Sequence, residues 1–282
     1  MILLLVIFII LSYIFSPRGR IDVDSFDVYS HKIPQSFNGF RLTQVSDVHN
    51  KHWKDDQRLT NLINDQKPDI IVVTGDFIDS RKTDVPHAVE LMSSLTKIAP
   101  VYFISGNHEA RLHLEGKVDY SELLKKLEKL GVQTMDQSIT KLEQGNDYIY
   151  LMGVQDPYFE YEKVGRIPDR AKLILEAYLQ DKRYQVDGFR ILLSHRPNEM
   201  AVYAAKGFDL VLSGHAHGGQ FIIPFVGALI GPGGQLLPKY TNGLYKEEQT
   251  QLVVSRGLAD SIIPLRLNNN YHLVNIDLYH QD

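Results

Sequence analysis

The chain has 282 residues, with 30 basic and 34 acidic side chains and a formal net charge of −4 at pH 7. This balance gives no long-range attraction for nucleic-acid phosphates, so we expect no nucleic-acid partner. There is no cysteine, which excludes disulfides, thiolate metal sites and cysteine nucleophiles. Any metal must therefore be held by histidine, carboxylate, amide or water ligands.

The first 15 residues are almost entirely apolar, and the composition changes sharply at Ser16-Pro17. The run is shorter than the ~20 residues of a full membrane span, and it lacks the basic start and small-residue cleavage site of a secretory signal. We interpret residues 1–17 as an uncleaved single-pass anchor in the cell membrane, with a buried core helix as the alternative. Arg18 and Arg20 favour a cytoplasmic C-terminal domain, but acidic residues follow closely and the membrane face stays open.

Beyond the anchor, apolar runs of strand length alternate with segments of helical spacing. This alternation predicts a buried sheet covered by helices, preceded by an edge strand within residues 21–40. The predicted elements of the first half are strand 40–45, helix 56–65, strand 70–73, helix 88–98, strand 101–104 and helix 121–130, the last with Ser121 as its N-cap.

The pattern changes between residues 133 and 154 to two short strands, 139–142 and 148–152. The sequence Gly145-Asn146-Asp147 between them predicts a β-hairpin. The remaining predicted elements are helix 169–179, strand 189–193, helix 198–205 and strands 210–212, 252–254 and 274–278. Because no internal repeat or interdomain linker is evident, we expect one α/β domain over residues 21–282.

Two histidines, His215 and His217, follow an apolar run and are flanked by Gly214 and Gly218. Alternate side chains of an extended segment point to the same side, and glycines allow a tight turn around an ion. Alone, the pair is as consistent with two surface imidazoles as with a metal site.

Most of the predicted strands end in residue types that bind metals. The carboxyl ends of strands in an open α/β sheet converge, so these side chains are expected to lie together. Each of them taken singly could be a turn or helix-cap residue. Together they indicate a site for two divalent ions, rich in oxygen and imidazole ligands. The blocks are Asp47-Val48-His49, Gly75-Asp76-Phe77-Ile78-Asp79, Gly106-Asn107-His108-Glu109, His195 and Gly214-His215-Ala216-His217.

In their order and spacing, these blocks resemble the calcineurin-like metallophosphoesterase superfamily. The resemblance implies an α/β fold, the four-layer αββα metallophosphoesterase sandwich. It also implies that His108 faces the phosphate as general acid or electrostatic stabiliser, oriented by Asp79. The implied ligands are Asp47, His49, Asp76 and His217 for one ion, and Asp76, Asn107, His195 and His215 for the other, with Asp76 bridging.

Several C-terminal strings are similar to the bacterial membrane-anchored branch of this superfamily, above all the sequence from Gly214 to Gln220. Some members of that branch are UDP-2,3-diacylglucosamine pyrophosphatases, and others are cell-wall-associated phosphoesterases. Protein Ser/Thr phosphatases differ, because their second block continues with Arg-Gly where this chain has Ser80 and Arg81. The segment 268–272 also departs from the Pro-Glu that is usual in the branch.

Two cations would lower the pKa of a shared water and neutralise the phosphoryl oxygens that the resulting hydroxide attacks. We therefore expect a phosphohydrolase that cleaves a phosphate ester or pyrophosphate of a lipid or a nucleotide-linked glycolipid. We expect two divalent ions, with Mn²⁺ favoured over Mg²⁺, Fe and Zn²⁺. The alternatives are a phosphodiesterase or phosphatase for soluble nucleotides or cell-wall polymers, and a catalytically silent membrane-bound scaffold. The oligomeric state stays open.

Three cationic residues, Lys239, Arg256 and Arg266, are candidates for binding a distal phosphate or lipid head group, with solvated surface charges as the alternative. The segment 221–237 is too apolar for an ordinary exposed loop. It is interpreted as a surface that meets lipid or roofs an acyl pocket, or as a loop packed on its own domain. Five other histidines match none of the blocks and are interpreted as ordinary surface or loop residues: His52, His87, His113, His272 and His280.

Overall fold

A computed structural model describes residues 19–53, 57–167, 169–260 and 265–282. The strands in these ranges are Ile21–Ser30 (β1), Phe40–Val45 (β2), Ile70–Thr74 (β3), Val101–Ile104 (β4), Gln133–Thr134 (β5), Ser138–Gln144 (β6), Asp147–Gly153 (β7), Arg190–Leu193 (β8), Leu210–Ser213 (β9), Ile222–Ile223 (β10), Gly227–Ala228 (β11), Gly243–Glu247 (β12), Thr250–Val254 (β13) and Tyr271–His280 (β14). The α-helices are Arg58–Asp65 (α1), Val85–Leu95 (α2), Asn107–Leu114 (α3), Tyr120–Lys129 (α4), Tyr161–Val164 (α5), Arg170–Tyr178 (α6) and Met200–Ala205 (α7).

The long strands form two six-stranded sheets. Sheet 1 has the order β1-β14-β2-β3-β4-β5, and sheet 2 has the order β12-β13-β9-β8-β7-β6. Strands β2 to β5 are parallel, whereas β14 is antiparallel to β2 and parallel to β1. In sheet 2, β7, β8, β9 and β13 are parallel, and β6 and β12 are antiparallel edges. Each sheet therefore gathers the carboxyl ends of its central strands along one edge.

Three apolar clusters define four layers. The cluster between the sheets includes Val72 from β3 and Leu193 from β8, both fully buried. Helices α1 to α4 cover the outer face of sheet 1 through residues such as Met92. Helices α6 and α7 cover sheet 2 through residues such as Leu175 and Val202. The order helix, sheet, sheet, helix agrees with the mixed α/β sandwich that the resemblance implies.

The predicted strands β2 and β4 coincide with the observed ones, and the predicted hairpin is β6 and β7. The predicted N-cap of α4 is wrong. Asp119 caps this helix, because its carboxylate accepts the backbone N–H groups of Ser121 and Glu122. Helix α3 was not predicted, since its buried apolar residues Ala110 and Leu112 do not recur at helical spacing.

One histidine interpreted as a surface residue, His272, is fully buried in β14. Its Nε2 lies 2.8 Å from Asp24 Oδ2 on the neighbouring strand β1. Burial lowers its pKa to about 4, which outweighs the opposing effect of Asp24. The side chain thus belongs to the interior of sheet 1.

The predicted membrane anchor lies outside the described residues. Within the described ranges, none of the helices combines the length and the apolar character that crossing a bilayer requires.

Candidate metal centre

The carboxyl ends of β2, β3 and β4 in sheet 1 meet those of β8 and β9 in sheet 2 at one edge of the sandwich. The N–H of Asp47 donates to Gly75 O at 3.1 Å, which joins the loops after β2 and β3. The N–H of His215 donates to Asp47 Oδ1 at 3.0 Å, which joins the two sheets. The loops that carry the predicted ligands therefore converge.

Many of the predicted ligands have an unusual backbone conformation. Positive φ angles are uncommon for residues with a side chain and concentrate at functional sites. The buried hydrogen bonds between the loops stabilise these unfavourable backbone conformations. The ligand residues with positive φ are Asp47 (50°), His49 (48°), Asp76 (50°), His215 (66°) and His217 (47°).

Two glycines allow the carboxylates to approach neighbouring strand ends. A Cβ atom on Gly106 would lie 2.3 Å from Asp76 Oδ1. A Cβ atom on Gly214 would lie 1.9 Å from Ser46 Oγ and 2.3 Å from Asp47 Oδ2. All three distances are shorter than van der Waals contact, so a side chain at either position would collide with these atoms.

The first group of side chains comprises Asp47, His49 and His217, whose potential ligand atoms lie within 4.8 Å of one another. His217 Nε2 is 3.3 Å from His49 Nε2 and 3.4 Å from Asp47 Oδ1. Ser46 Oγ donates to Asp47 Oδ2 at 2.7 Å and orients the carboxylate. These atoms form one candidate metal position.

The second group comprises Asp76, His195 and His215. His195 Nε2 lies 3.2 Å from Asp76 Oδ2 and 3.1 Å from His215 Nδ1. The other ring nitrogen of His195 donates to the carbonyl of Thr74 at 2.8 Å, which leaves Nε2 free to bind a cation. Asp76 Oδ2 is also 3.8 Å from His49 Nε2, so this carboxylate lies between the two groups.

The amide of Asn107 supports the presence of cations. Its Oδ1 is buried and has no hydrogen-bond partner among the described residues. Buried acceptors are nearly always satisfied, and an unsatisfied one requires an explanation such as a missing ion. The imidazole nitrogens and carboxylate oxygens of the two groups, together with the amide oxygen of Asn107, are ligand types that fit two divalent ions.

The protonation states also suit metal binding. Burial lowers the pKa of His49 to about 4, and it lowers the pKa values of His215 and His217 well below their usual range. Neutral imidazole is the form that binds a metal. Burial also opposes the charge on His195, but the attraction of Asp76 and Asp47 wins and raises the pKa of His195 to about 10. Without a bound cation, the protonated and positively charged His195 therefore pairs with the carboxylate of Asp76.

The environment of His108 differs from the predicted one. Its Nδ1 accepts the backbone N–H of Ser80 at 3.0 Å. The Oδ1 atom of Asp79 instead accepts the backbone N–H groups of Arg81 and Lys82, at 2.6 and 3.0 Å. Ser80, rather than Asp79, thus orients His108.

The second oxygen of Asp79 faces a predicted ligand. Its Oδ2 lies 3.6 Å from Nδ1 of His49, on the side of the ring away from His217. This distance is too long for a hydrogen bond, and His49 Nδ1 has no hydrogen-bond partner among the described residues, so the contact is electrostatic. Asp79 is thereby placed to support His49.

A buried carboxylate that received no role from the sequence, Glu109, holds two loops of the site together. It accepts the backbone N–H groups of Asp76 (3.0 Å), Ile78 (2.8 Å) and Gly106 (2.8 Å). Burial raises its pKa to about 7. The spacing of Gly106 and Glu109 is that of a capping box at the start of α3, which is the signal that could have identified it.

The three candidate substrate-binding cations occupy different environments. Arg256 is 8% exposed, and its Nη2 lies 3.0 Å from Asp22 Oδ2. Arg266 donates from Nη2 to the carbonyl of Arg256 at 2.8 Å and lies 3.2 Å from Nδ1 of the ligand His217. Lys239 is exposed. The two arginines are therefore engaged with the protein itself, and neither is the solvated charge of the alternative interpretation.

Several known metallophosphoesterases are similar in sequence to this chain. The chain is 31% identical over 258 residues to the uncharacterized metallophosphoesterase YkuE of Bacillus subtilis, which covers 87% of this chain and 81% of that protein. It is 28% identical over 272 residues to a transmembrane protein with metallophosphoesterase domain from Danio rerio, and spans 57% of that longer protein. It is also 27% identical over 233 residues to phosphodiesterase YaeI of Escherichia coli, which covers 81% of this chain and 78% of that protein.

A solved structure shares the fold. The crystal structure of TT1561 of Thermus thermophilus matches with a TM-score of 0.50 and 14% identity, over 78% of this chain and 90% of that one. The profile of the calcineurin-like phosphoesterases matches residues 40–219, a range that contains every predicted ligand from Asp47 to His217. This chain therefore belongs to the calcineurin-like phosphoesterase family.

Proposed function

We propose that the protein is a dinuclear-metal-dependent phosphohydrolase that cleaves a phosphate ester or pyrophosphate bond. The observation that carries this proposal is the position of Asp76 between two groups of ligands, 3.2 Å from His195 Nε2 and 3.8 Å from His49 Nε2. In this arrangement one ion would be held by Asp47, His49, Asp76 and His217, and the other by Asp76, Asn107, His195 and His215.

Two divalent ions, when bound, supply the Lewis acidity that activates water near neutral pH and neutralises phosphoryl oxygens. The protein residues orient the ligands: Thr74 O fixes the tautomer of His195, and Asp79 faces the outer nitrogen of His49. The mixture of imidazole and oxygen donors suits Mn²⁺, which we favour, and also accommodates Mg²⁺, Fe and Zn²⁺.

His108 is the proposed catalytic residue that meets the substrate. Because its Nδ1 accepts the N–H of Ser80, the neutral ring carries its proton on Nε2. That N–H can donate a hydrogen bond to a phosphoryl or leaving-group oxygen and stabilise the charge that develops there. This role is electrostatic stabilisation, one of the two roles that the resemblance implies for this residue.

We further infer an amphiphilic substrate, such as a lipid or a nucleotide-linked glycolipid, and attachment to the membrane through residues 1–17. The apolar composition of residues 1–15 supports both points. The Danio rerio relative is named a transmembrane protein. Hydrolysis of a soluble diester is the second candidate, supported by the relative named phosphodiesterase YaeI.

Hydrolysis by the purified full-length protein loaded with Mn²⁺ tests both parts of the proposal. A detergent-solubilised glycolipid pyrophosphate and the soluble diester bis(p-nitrophenyl) phosphate are compared side by side, with the His108→Asn variant as control. We expect both to be cleaved, and the glycolipid with the higher kcat/KM. A higher kcat/KM for the soluble diester contradicts the lipid substrate, and no hydrolysis of either compound contradicts the phosphohydrolase.

A further inference from the structure

Four large apolar side chains near the metal centre are exposed to solvent. Their exposed fractions are 110% for Phe225, 59% for Val226, 73% for Leu236 and 58% for Leu237. Exposed apolar residues that occur singly are ordinary, but a group in one segment indicates an interaction surface. We call these four residues the apolar tip.

The two parts of the apolar tip belong to one folded loop. Phe225 and Val226 form the turn of the hairpin β10–β11. The N–H of Leu237 donates to the carbonyl of Leu229 at 3.0 Å, which brings the second pair back beside the hairpin. The sequence from Gly218 to Pro238 contains no Asp, Glu, Lys or Arg. The loop therefore carries no charged side chain.

The loop is fixed to the turn that carries the last metal ligand. Asn269 Nδ2 donates to the carbonyl of His217 at 2.7 Å. A Cβ atom on Gly219 would lie only 2.3 Å from Ala228 Cβ, so β11 packs closely against this turn. The N–H of Ile222 donates to a carbonyl in the segment before β14. The apolar tip therefore has a defined position relative to the metal centre.

The described part of the chain begins at the same edge. Strand β14 is antiparallel to β2, and β1 is parallel to β14. The first residue of β1 therefore lies at the edge where β2 ends and Asp47 begins the site. The N–H of Tyr271 donates to Arg20 O at 3.1 Å. The start of β1 therefore lies next to the start of β14, and the segment just before β14 contacts the hairpin β10–β11.

We propose that the apolar tip docks on a lipid bilayer and that the metal centre faces the membrane surface. The sequence of residues 1–15 is apolar, and the described chain begins at the edge where the apolar tip lies. A bilayer is the partner that can receive both apolar features. Lys239, the first charge after the uncharged loop, has a side chain 73% exposed, and its Nζ lies 3.9 Å from Glu247 Oε2. A solvent-exposed pair at this distance is weak, so lipid phosphates can compete for the lysine. This inference rests on the proposed function, because it places a membrane-borne phosphoester at the level of the site.

Site-specific labelling tests the docking directly. The chain has no cysteine, so Val226→Cys and Leu236→Cys each provide a single attachment point for an environment-sensitive fluorophore. Neither position has a positive φ. The control is Asn146→Cys, in the exposed turn between β6 and β7, at the opposite edge of the sandwich. Each full-length protein is reconstituted in phosphatidylcholine and phosphatidylglycerol vesicles that contain nitroxide-labelled acyl chains.

Docking predicts that the nitroxide lipids quench both tip labels several-fold more than the control label. Equal quenching of tip and control labels overturns the proposal. Protection of the tip labels from both the nitroxide lipids and aqueous iodide also overturns the proposal. In that case the apolar tip is buried against protein, either the chain's own apolar segment or a second copy of the chain.

An activity measurement separates this inference from the proposed function. Replacing Val226 and Leu236 by Asp should lower hydrolysis of a vesicle-embedded glycolipid pyrophosphate by roughly tenfold. Hydrolysis of bis(p-nitrophenyl) phosphate should stay unchanged, which also shows that the variant is folded. Asn146→Asp is the matched control for added charge. If the unaltered protein cleaves neither compound, the proposed function fails; if it cleaves both and the double variant does too, only the docking fails.

Discussion

The two sheets bring different chemistry to the metal centre. The loops of sheet 1 supply both carboxylates, the amide and one imidazole, whereas the loops of sheet 2 supply imidazoles alone. Neither set offers a complete coordination sphere for two ions, so the site exists only where the two sheets pack. The candidate ligands of sheet 1 are Asp47, His49, Asp76 and Asn107, and those of sheet 2 are His195, His215 and His217.

Removing the bridging carboxylate should have the largest effect, because Asp76 is the sheet 1 residue that both metal positions share. Asp76→Asn is expected to lower kcat/KM by at least about a thousandfold and to reduce bound metal. Hydrolysis of bis(p-nitrophenyl) phosphate and metal analysis measure the two effects. Asp65→Asn, at an exposed position of α1, is the control and should change neither. Full metal content in Asp76→Asn would contradict the bridging position.

Replacing His108 should separate catalysis from metal binding. We expect His108→Asn to lower kcat by roughly a hundredfold or more with metal content unchanged, because we propose that the ring donates to the substrate and does not bind a metal. Ser80→Ala keeps the backbone N–H that orients the ring and should retain most activity. Loss of metal in proportion to activity would reassign His108 as a ligand.

A methyl group placed between the sheets should disrupt their junction. Gly214→Ala puts a Cβ atom 1.9 Å from Ser46 Oγ and 2.3 Å from Asp47 Oδ2, and thus separates the sheet 2 turn from the sheet 1 carboxylate. We expect weaker metal binding and a loss of activity, by roughly ten- to a hundredfold. Gly116→Ala meets no atom within 4 Å and tests the general cost of removing a glycine, here at a positive φ. Wild-type metal affinity in Gly214→Ala would show that the junction is not rigid.

The pH dependence of metal binding should report the pairing across the sheets. In the metal-free protein the pKa of His195 is raised to about 10 by Asp76 and Asp47, against the effect of burial, and burial raises the pKa of Asp47 to about 6. A cation must displace the proton on His195, so metal affinity should increase about tenfold per pH unit between pH 7 and 9. Below about pH 6, protonation of Asp47 should lower the metal affinity further.

Calorimetry in buffers of different ionisation enthalpy measures the protons released. We expect about one proton released per chain near pH 8. The variant His195→Gln should bind metal more weakly and should release fewer protons on binding. A metal affinity that is independent of pH between 7 and 9 would contradict the proposed pairing of His195 with Asp76.

The positions of the metal ligands could be predicted because each follows a recognisable apolar strand. The strand β4 that precedes Asn107 was predicted at its observed bounds. The bridging role of Asp76 came from the family resemblance and stays a prediction. Its Oδ2 lies 3.8 Å from His49 Nε2 in sheet 1 and 3.2 Å from His195 Nε2 in sheet 2.

Side-chain partners were harder to predict, because they depend on which atoms the loops bring within reach. Asp79 and Ser80 are adjacent in sequence, and only their positions in space show that the backbone N–H of Ser80 meets His108. Likewise, the sequence alone could not distinguish Arg256 from a solvated arginine. The structure does so, because Asp22 on β1 lies beside its guanidinium. Long-range pairing of this kind leaves no local pattern.

The most direct test of the central claim is the metal stoichiometry of the protein after loading with Mn²⁺ and removal of free ions, with the spin coupling measured on the same sample. Two ions per chain, coupled to each other through the Asp76 carboxylate, are the predicted result. One ion per chain, or two without magnetic coupling, would contradict a bridged pair held jointly by the two sheets.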